Sequence, residues 1–396
     1  MNKHTDAQSG RSLRLPRADG SLETYRPAAP RAFPSRLDGT LNRVVYSAAH
    51  VVADPRADVD PWLTAAIDWD RTIAFREHIW DLGLGVAEAM DTAQRGMGLD
   101  WPTSLELIKR SVAAAKPRGA LIASGAGTDH LAPEDADSLD DVIRAYEVQV
   151  AAVEAAGGRI ILMASRALAR IGRNAADYEK VYDRILSQVR GPVIIHWLGD
   201  MFDPALTGYW GTKDVTSAMD TAVDIINAHA AKVDGVKISL LDKGYEINMR
   251  RRLDPSVKMY TGDDFNYAEL IAGDEQGFSH ALLGIFDAIA PAASYAVSRL
   301  AVGDLKTFHD VLGPTVPLSR HIFKTPTRFY KTGVVFMAYL NGHQDHFTMI
   351  GGQESARSTV HLAEIFRFAD QAGLLADPDR ATARMKTVLA VRGIDA

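Results

Sequence analysis

From Arg43 onward, short apolar runs alternate with longer stretches in which apolar positions recur at helical spacing. The runs fall at 43–48, 85–90, 119–123, 159–163, 192–196, 233–238, 257–260 and 279–284. Each is too short for a helix and several are rich in Val and Ile, a pattern that predicts buried parallel strands. Between them the spacing predicts helices near 70–82, 104–115, 139–156, 176–189, 215–230, 242–252, 267–272 and 291–300. Asp177 and Glu179 stand in the first turn of one of these, and Gly157-Gly158 close the helix before it. Eight alternations over about 250 residues predict an α/β chain folded as a (β/α)8 TIM barrel. The competing open sheet normally carries a Gly-rich phosphate turn after its first strand, but Ala48-Ala49-His50-Val51-Val52 has no glycine.

The pattern differs on either side of this core. Residues 1–41 form an arm rich in Arg, Pro, Ser and Gly, whose first ten residues read as a disordered tail. Within it, residues 12–16 and 21–25 flank Ala18-Asp19-Gly20, which predicts a hairpin with an Asp-Gly turn packed on the main domain. After the barrel, assigned to 42–301, residues 302–396 read as a helical extension with segments near 305–312, 327–340, 360–372 and 379–390. Residues 329–340 are apolar on most sides, so that segment is either tightly buried or half of a subunit interface. The polar loop after it, with His343 and His346, is either solvated or closes over a neighbouring active site.

Composition narrows the function. Hydrophobic residues make up 47% of the chain, ample for a large core, and there is no cysteine, which excludes disulfides, thiolate metal sites and a cysteine nucleophile. The net charge of -6 and the lack of a basic stripe argue against a nucleic-acid partner. No apolar run approaches the roughly 18 residues of a membrane helix, and no signal-type apolar segment opens the chain, so neither a membrane partner nor export is expected and the cytoplasm is the expected location.

In a barrel of this kind, chemistry gathers at the C-terminal ends of the strands. The sixth run carries Lys237, where a buried amine would have a lowered pKa and be nucleophilic enough to form a Schiff base, whereas an edge-strand lysine would only reach into water. The other strand ends supply His50; Glu88, Asp91, Gln94 and Arg95; Gly125, Thr128, Asp129 and His130; Ser165 and Arg166; His196 and Asp200; and Asp263 with Asp264. Asp263, Asp264 and Asp129 would also serve as helix caps, and a lone histidine is more often structural than catalytic. A second chemistry draws on Asp91, His196 and Asp263 as ligands of a divalent cation, although no close pair of ligands such as His-x-His is present.

Four stretches carry a resemblance: Gly235-Val236-Lys237-Ile238-Ser239, Tyr260-Thr261-Gly262-Asp263-Asp264, residues 284–291 (GIFDAIAP), and Gly303-Asp304-Leu305 together with the helix from Thr327. In succession they resemble the dihydrodipicolinate synthase and N-acetylneuraminate lyase superfamily of class I aldolases. The resemblance covers most of residues 43–352 and implies a homodimer or homotetramer, no cofactor and a small-molecule carbonyl substrate bound as an imine on Lys237. The chain also departs from that pattern. Gln94-Arg95-Gly96-Met97-Gly98 stand where the family has Gly-Thr-Thr-Gly-Glu, and His196 stands where it has tyrosine. The expectation is therefore a divergent lyase, an aldolase or a dehydratase, for a 2-oxo acid or keto-sugar. Lys237 would be its nucleophile and His196 its proton shuttle. Arg95 or Arg166 would bind an anionic group, and Ser165, Gly125, Thr128, Asp263 and Asp264 would line the substrate. A non-catalytic barrel that binds a sugar acid is the alternative from a different class.

Overall fold

The computed structural model describes residues 12–395, so the tail expected over the first ten lies outside the described residues. Two strands, β1 (Leu13–Pro16) and β2 (Leu22–Tyr25), pair antiparallel across a turn in which Gly20 takes φ +84°. This is the expected hairpin, but it lies against the C-terminal helix Thr359–Gln371. Tyr25 donates to Asp370 at 2.7 Å, and Arg367 reaches the Pro16 carbonyl at 3.3 Å.

Eight parallel strands then close into a barrel: β3 (Val45–Ala48), β4 (Gly85–Glu88), β5 (Ile122–Ala126), β6 (Arg159–Leu162), β7 (Val193–Leu198), β8 (Val233–Ser239), β9 (Lys258–Thr261) and β10 (His280–Leu283). Their order around the barrel is their order in sequence, with β10 returning to β3. The fold is a (β/α)8 barrel. β5 begins three residues later than the apolar run suggests, because Lys116–Arg118 extend the preceding helix by a 3₁₀ turn that ends at Gly119 in the left-handed region. The connecting helices start at side-chain caps, such as Asp68 on the Arg71 amide and Ser138 in a capping box with Asp141.

The C-terminal region packs Leu305–Leu312, Val316–Ile322, Tyr330–Leu340, Thr359–Gln371 and Pro378–Val391 onto the barrel. Every residue of Tyr330–Leu340 is buried within its own chain, so of the two readings of this apolar segment the buried one holds. The following loop turns inward on its own barrel, with the His343 ring 4.6 Å from His78 and 5.0 Å from Phe75. Among the described residues no helix is long and apolar enough to cross a membrane.

Candidate active site at the C-terminal end of the barrel

Strand periodicity decides where Lys237 points. In the parallel register Ile194 faces Gly235, His196 faces Lys237, and Lys237 faces Tyr260. Ile194 and Tyr260 belong, with Tyr46, Met90, Ile161 and Leu282, to the cluster that fills the barrel. Lys237 and His196 therefore project inward, while Val236 and Ile238 face the helices. Two glycines make room. A Cβ at Gly235 would lie 2.5 Å from the Tyr260 ring, and one at Gly262 would lie 2.9 Å from Lys237 Cε and 2.3 Å from Ser239 Oγ.

Lys237 is 8% exposed, and among the described residues its amine forms no hydrogen bond or ion pair. Burial lowers its pKa from 10.5 to about 8, against the opposing pull of Asp264 and Asp91. Burial likewise pushes the Asp264 carboxyl up to about 7, although the Ile285 amide donates to it at 2.9 Å. The adjacent aspartates thus separate. Asp263 accepts from the amides of Phe265 and Asn266 at 2.8 and 3.1 Å and from Asn266 Nδ2 at 2.7 Å, so it holds the turn that presents Asp264. His196 is buried and neutral: desolvation, then the Lys237 charge, lowers its pKa well below the usual range. Its Nε2 meets Ser239 Oγ at 3.2 Å, and its Nδ1 is buried without a partner.

The C-terminal region contributes to the same end of the barrel. Tyr330 Oη is 2.7 Å from Thr92 Oγ1, and Lys331, almost fully buried, pairs with Asp91 at 2.9 Å. Tyr330 sits beside Gly284, where a Cβ would come within 3.2 Å of its ring. Sequence reasoning missed Thr92, Tyr330 and Lys331. Thr92 and Tyr330 are 238 residues apart, and no local pattern links them.

A cavity of about 560 Å³ opens over the ends of β4 to β7. Arg95, Thr128 and Arg166 line it, together with Asp91, Asp129, His130, Trp101 and Asp203. Lys237 is not a wall residue, but Leu198, which is, pairs in register with Ser239 two residues beyond the lysine. The two arginines differ in what they can still bind. Arg95 places its five N–H groups on Asp129 (2.6 and 3.0 Å), the Gly125 and Ala89 carbonyls (2.7 and 3.3 Å) and Gln149. It is a structural cation with no donor left for a ligand. Arg166 uses Nε on Asp203 at 2.5 Å, its side chain is 43% exposed, and its terminal nitrogens have no partner among the described residues. Ser165 caps the helix Arg166–Ile171 and meets Thr128 Oγ1 at 2.6 Å, while Gly125 leaves space that Met163 Sδ fills.

Several strand-end groups are tied up elsewhere. Glu88 makes a fully buried bidentate pair with Arg76 at 2.9 Å, and His50 is held by Asp287 at 2.8 Å. Asp91, His196 and Asp263 do not converge: among the described residues no group of three or more His, Asp or Glu is placed to hold a metal ion. Asp263 spends both oxygens on its own turn, and Asp91 pairs with Lys331.

With the geometry in place, comparison with known proteins adds the family. The family model described as Protein of unknown function (DUF993) matches residues 13–394, nearly the whole chain. The chain belongs to the DUF993 family. No curated protein matches this DUF993 chain. Among solved structures it is similar to the dihydrodipicolinate synthase of Acinetobacter baumannii, crystallised with pyruvate, at 15% identity and TM-score 0.62 over 85% of this chain and 100% of that one. The enzyme of Aquifex aeolicus matches at 12% identity and TM-score 0.59 over 89% and 99%. That of Oceanobacillus iheyensis matches at 15% and 0.58 over 82% and 96%. At these identities the likeness establishes the fold: this DUF993 chain shares the (β/α)8 architecture of those dihydrodipicolinate synthases.

Proposed function

We propose that this protein is a Schiff-base-forming lyase, an aldolase or dehydratase, that acts on a 2-oxo acid or keto-sugar-like substrate through Lys237. One observation carries the reading: an unpaired, buried lysine amine at the chemistry-bearing end of the barrel, beside a carboxyl of nearly matching proton affinity. Free in water the two groups differ by nearly seven pH units (10.5 against 3.8), and in this site by about one. Burial thus brings the two proton affinities toward each other, and moving a proton from the amine to the carboxylate costs far less than in water.

Lys237 attacks the substrate carbonyl carbon and water leaves, which forms a protonated imine. The imine accepts the electron pair of the adjacent breaking C–C bond. Alternatively, it accepts the pair left by the α-proton, and a β-hydroxyl then departs. No cofactor enters these steps. Asp264 is better matched than His196 to take and return protons, because an imidazole held well below its usual pKa carries almost no proton near neutrality. Arg166 remains as the cation for an anionic group, and Arg95 braces the β4 and β5 ends. Support for a 2-oxo acid comes from the Acinetobacter baumannii structure, described as complexed with pyruvate.

Assembly as a homodimer or homotetramer belongs to this proposal and does not involve Tyr330–Leu340, which is buried in its own chain. Light scattering of the purified protein tests it.

For the reaction, borohydride added with candidate 2-oxo acids is expected to leave a reduced adduct on Lys237, seen by peptide mass analysis. Full turnover by Lys237→Ala would overturn the mechanism.

A further inference from the structure

The cavity, whose wall residue Leu198 pairs in register with Ser239 two residues beyond Lys237, has more room than a three-carbon acid needs, and its side-chain donors are mostly engaged before any ligand arrives. Its volume of about 560 Å³ falls in the range of pockets for drug-sized ligands. Asp129 places both oxygens on Arg95, and Gln149 adds a third bond at 2.9 Å. Asp203 holds Arg166 and caps the Ala205 amide at 3.2 Å, Asp100 caps Thr103 at 2.9 Å, and Asp91 pairs with Lys331. Thr128 is engaged with Ser165, and His130 Nδ1 meets Gln149 Nε2 at 2.8 Å. Among the wall's side chains, the donors left for a ligand are the terminal nitrogens of Arg166 and the Nε2 of His130, whose pKa burial lowers. The rest of the wall is apolar, built from Leu99, Trp101, Leu131, Met163, Leu198 and Leu206.

From this we infer that the substrate is a 2-oxo acid bearing an apolar, ring-sized substituent rather than a chain of hydroxyls. The inference rests on the imine reading of Lys237 and concerns the part of the substrate beyond the carbonyl. A sugar acid would bring three or four hydroxyl oxygens into a wall with few free side-chain donors and a largely apolar lining, and each hydroxyl left without its bonds weakens binding. An aryl or branched alkyl group would exchange water for Trp101 and the leucines and leave no polar group stranded. Arg166, at one edge of the cavity, would take the carboxylate through its free N–H pair.

The experiment compares pyruvate, phenylpyruvate and 2-keto-3-deoxygluconate on the full-length protein. In borohydride trapping, the ketone C=O becomes C=N on Lys237 with loss of water, and hydride adds to that carbon. Phenylpyruvate is expected to half-saturate trapping at a concentration about tenfold or more below that of the sugar acid. Trp101→Ala is expected to cost phenylpyruvate about tenfold more than it costs pyruvate. Calorimetric binding of the same three acids to Lys237→Ala reads the cavity without the imine. If nothing is trapped while the calorimetric preference for phenylpyruvate persists, the Schiff-base mechanism fails and the substrate inference stands. If the sugar acid binds Lys237→Ala as well as phenylpyruvate or better, the inference is overturned, whatever the trapping shows.

Discussion

Lys237→Met should make the protein inactive and more stable, by an amount the site itself sets. The lysine is buried, and its pKa falls from 10.5 to about 8 on folding. At pH 7 the folded chain holds an ammonium group where burial disfavours it. That downward shift corresponds to a loss of stability on the order of a few kcal/mol. Methionine fills nearly the same volume without the charge, and the Asp264 carboxyl, already raised by burial, then takes up a proton. The unfolding entropy of a chain of 396 residues is about 0.8 kcal/mol/K, so each kcal/mol gained appears as a rise of about 1 °C in Tm. The sign follows from the direction of the shift. A lysine whose folded pKa is depressed carries its full penalty below about 8, and the penalty fades to nothing as the pH rises to 10.5. Thermal unfolding of both proteins from pH 6 to pH 11 should therefore show a gap that is widest near neutral pH, narrows as the pH rises and has closed by 10.5. A variant no more stable than the parent at pH 7, or a gap that does not narrow, would refute a desolvated amine.

Four further outcomes follow from the geometry. Asp264→Asn removes the charge that raises the Lys237 pKa, so the acid limb of the trapping rate should move to lower pH; at pH 9 the rate should fall about 100-fold for want of a proton acceptor, and stopped-flow trapping across pH checks both. Gly262→Ala drives a methyl against Lys237 Cε and Ser239 Oγ; a denaturant titration should show a loss of about 1–3 kcal/mol, and trapping should slow at least about tenfold. Arg95→Met strands Asp129, Gln149 and two carbonyls and should cost about 3–5 kcal/mol in urea unfolding, whereas Arg166→Met should stay within about 1 kcal/mol of the parent and raise KM for an anionic substrate. Tyr25→Phe removes the hydroxyl that reaches Asp370 and should lower stability by about 1 kcal/mol, read as an earlier loss of the hairpin in limited proteolysis.

How the sequence already carried the architecture is plain from particular stretches. Runs such as Val193–Leu198 and Val233–Ser239 are short, apolar and flanked by helix-period segments, a pattern that only a buried parallel sheet satisfies, and repeated eight times it closes a barrel. Lys237 was legible for the same reason: one lysine in an otherwise apolar strand has a side fixed by a period of two. What each polar strand-end group does was not legible, because it depends on partners distant in the chain. Asp263 and Asp264 read alike until the turn engages one and leaves the other facing the amine. Arg95 and Arg166 are equal cations in sequence. Gln149 and Asp129 consume the first, and a single aspartate holds the second. Tyr330 and Lys331 reach the site only because the C-terminal helices fold back over β4 and β10. By itself, then, the sequence determined the barrel and the inward lysine, since local periodicity specifies both. Tertiary structure decided which charges remain free to meet a substrate, because a hydrogen bond once made to a distant residue is no longer available to a ligand.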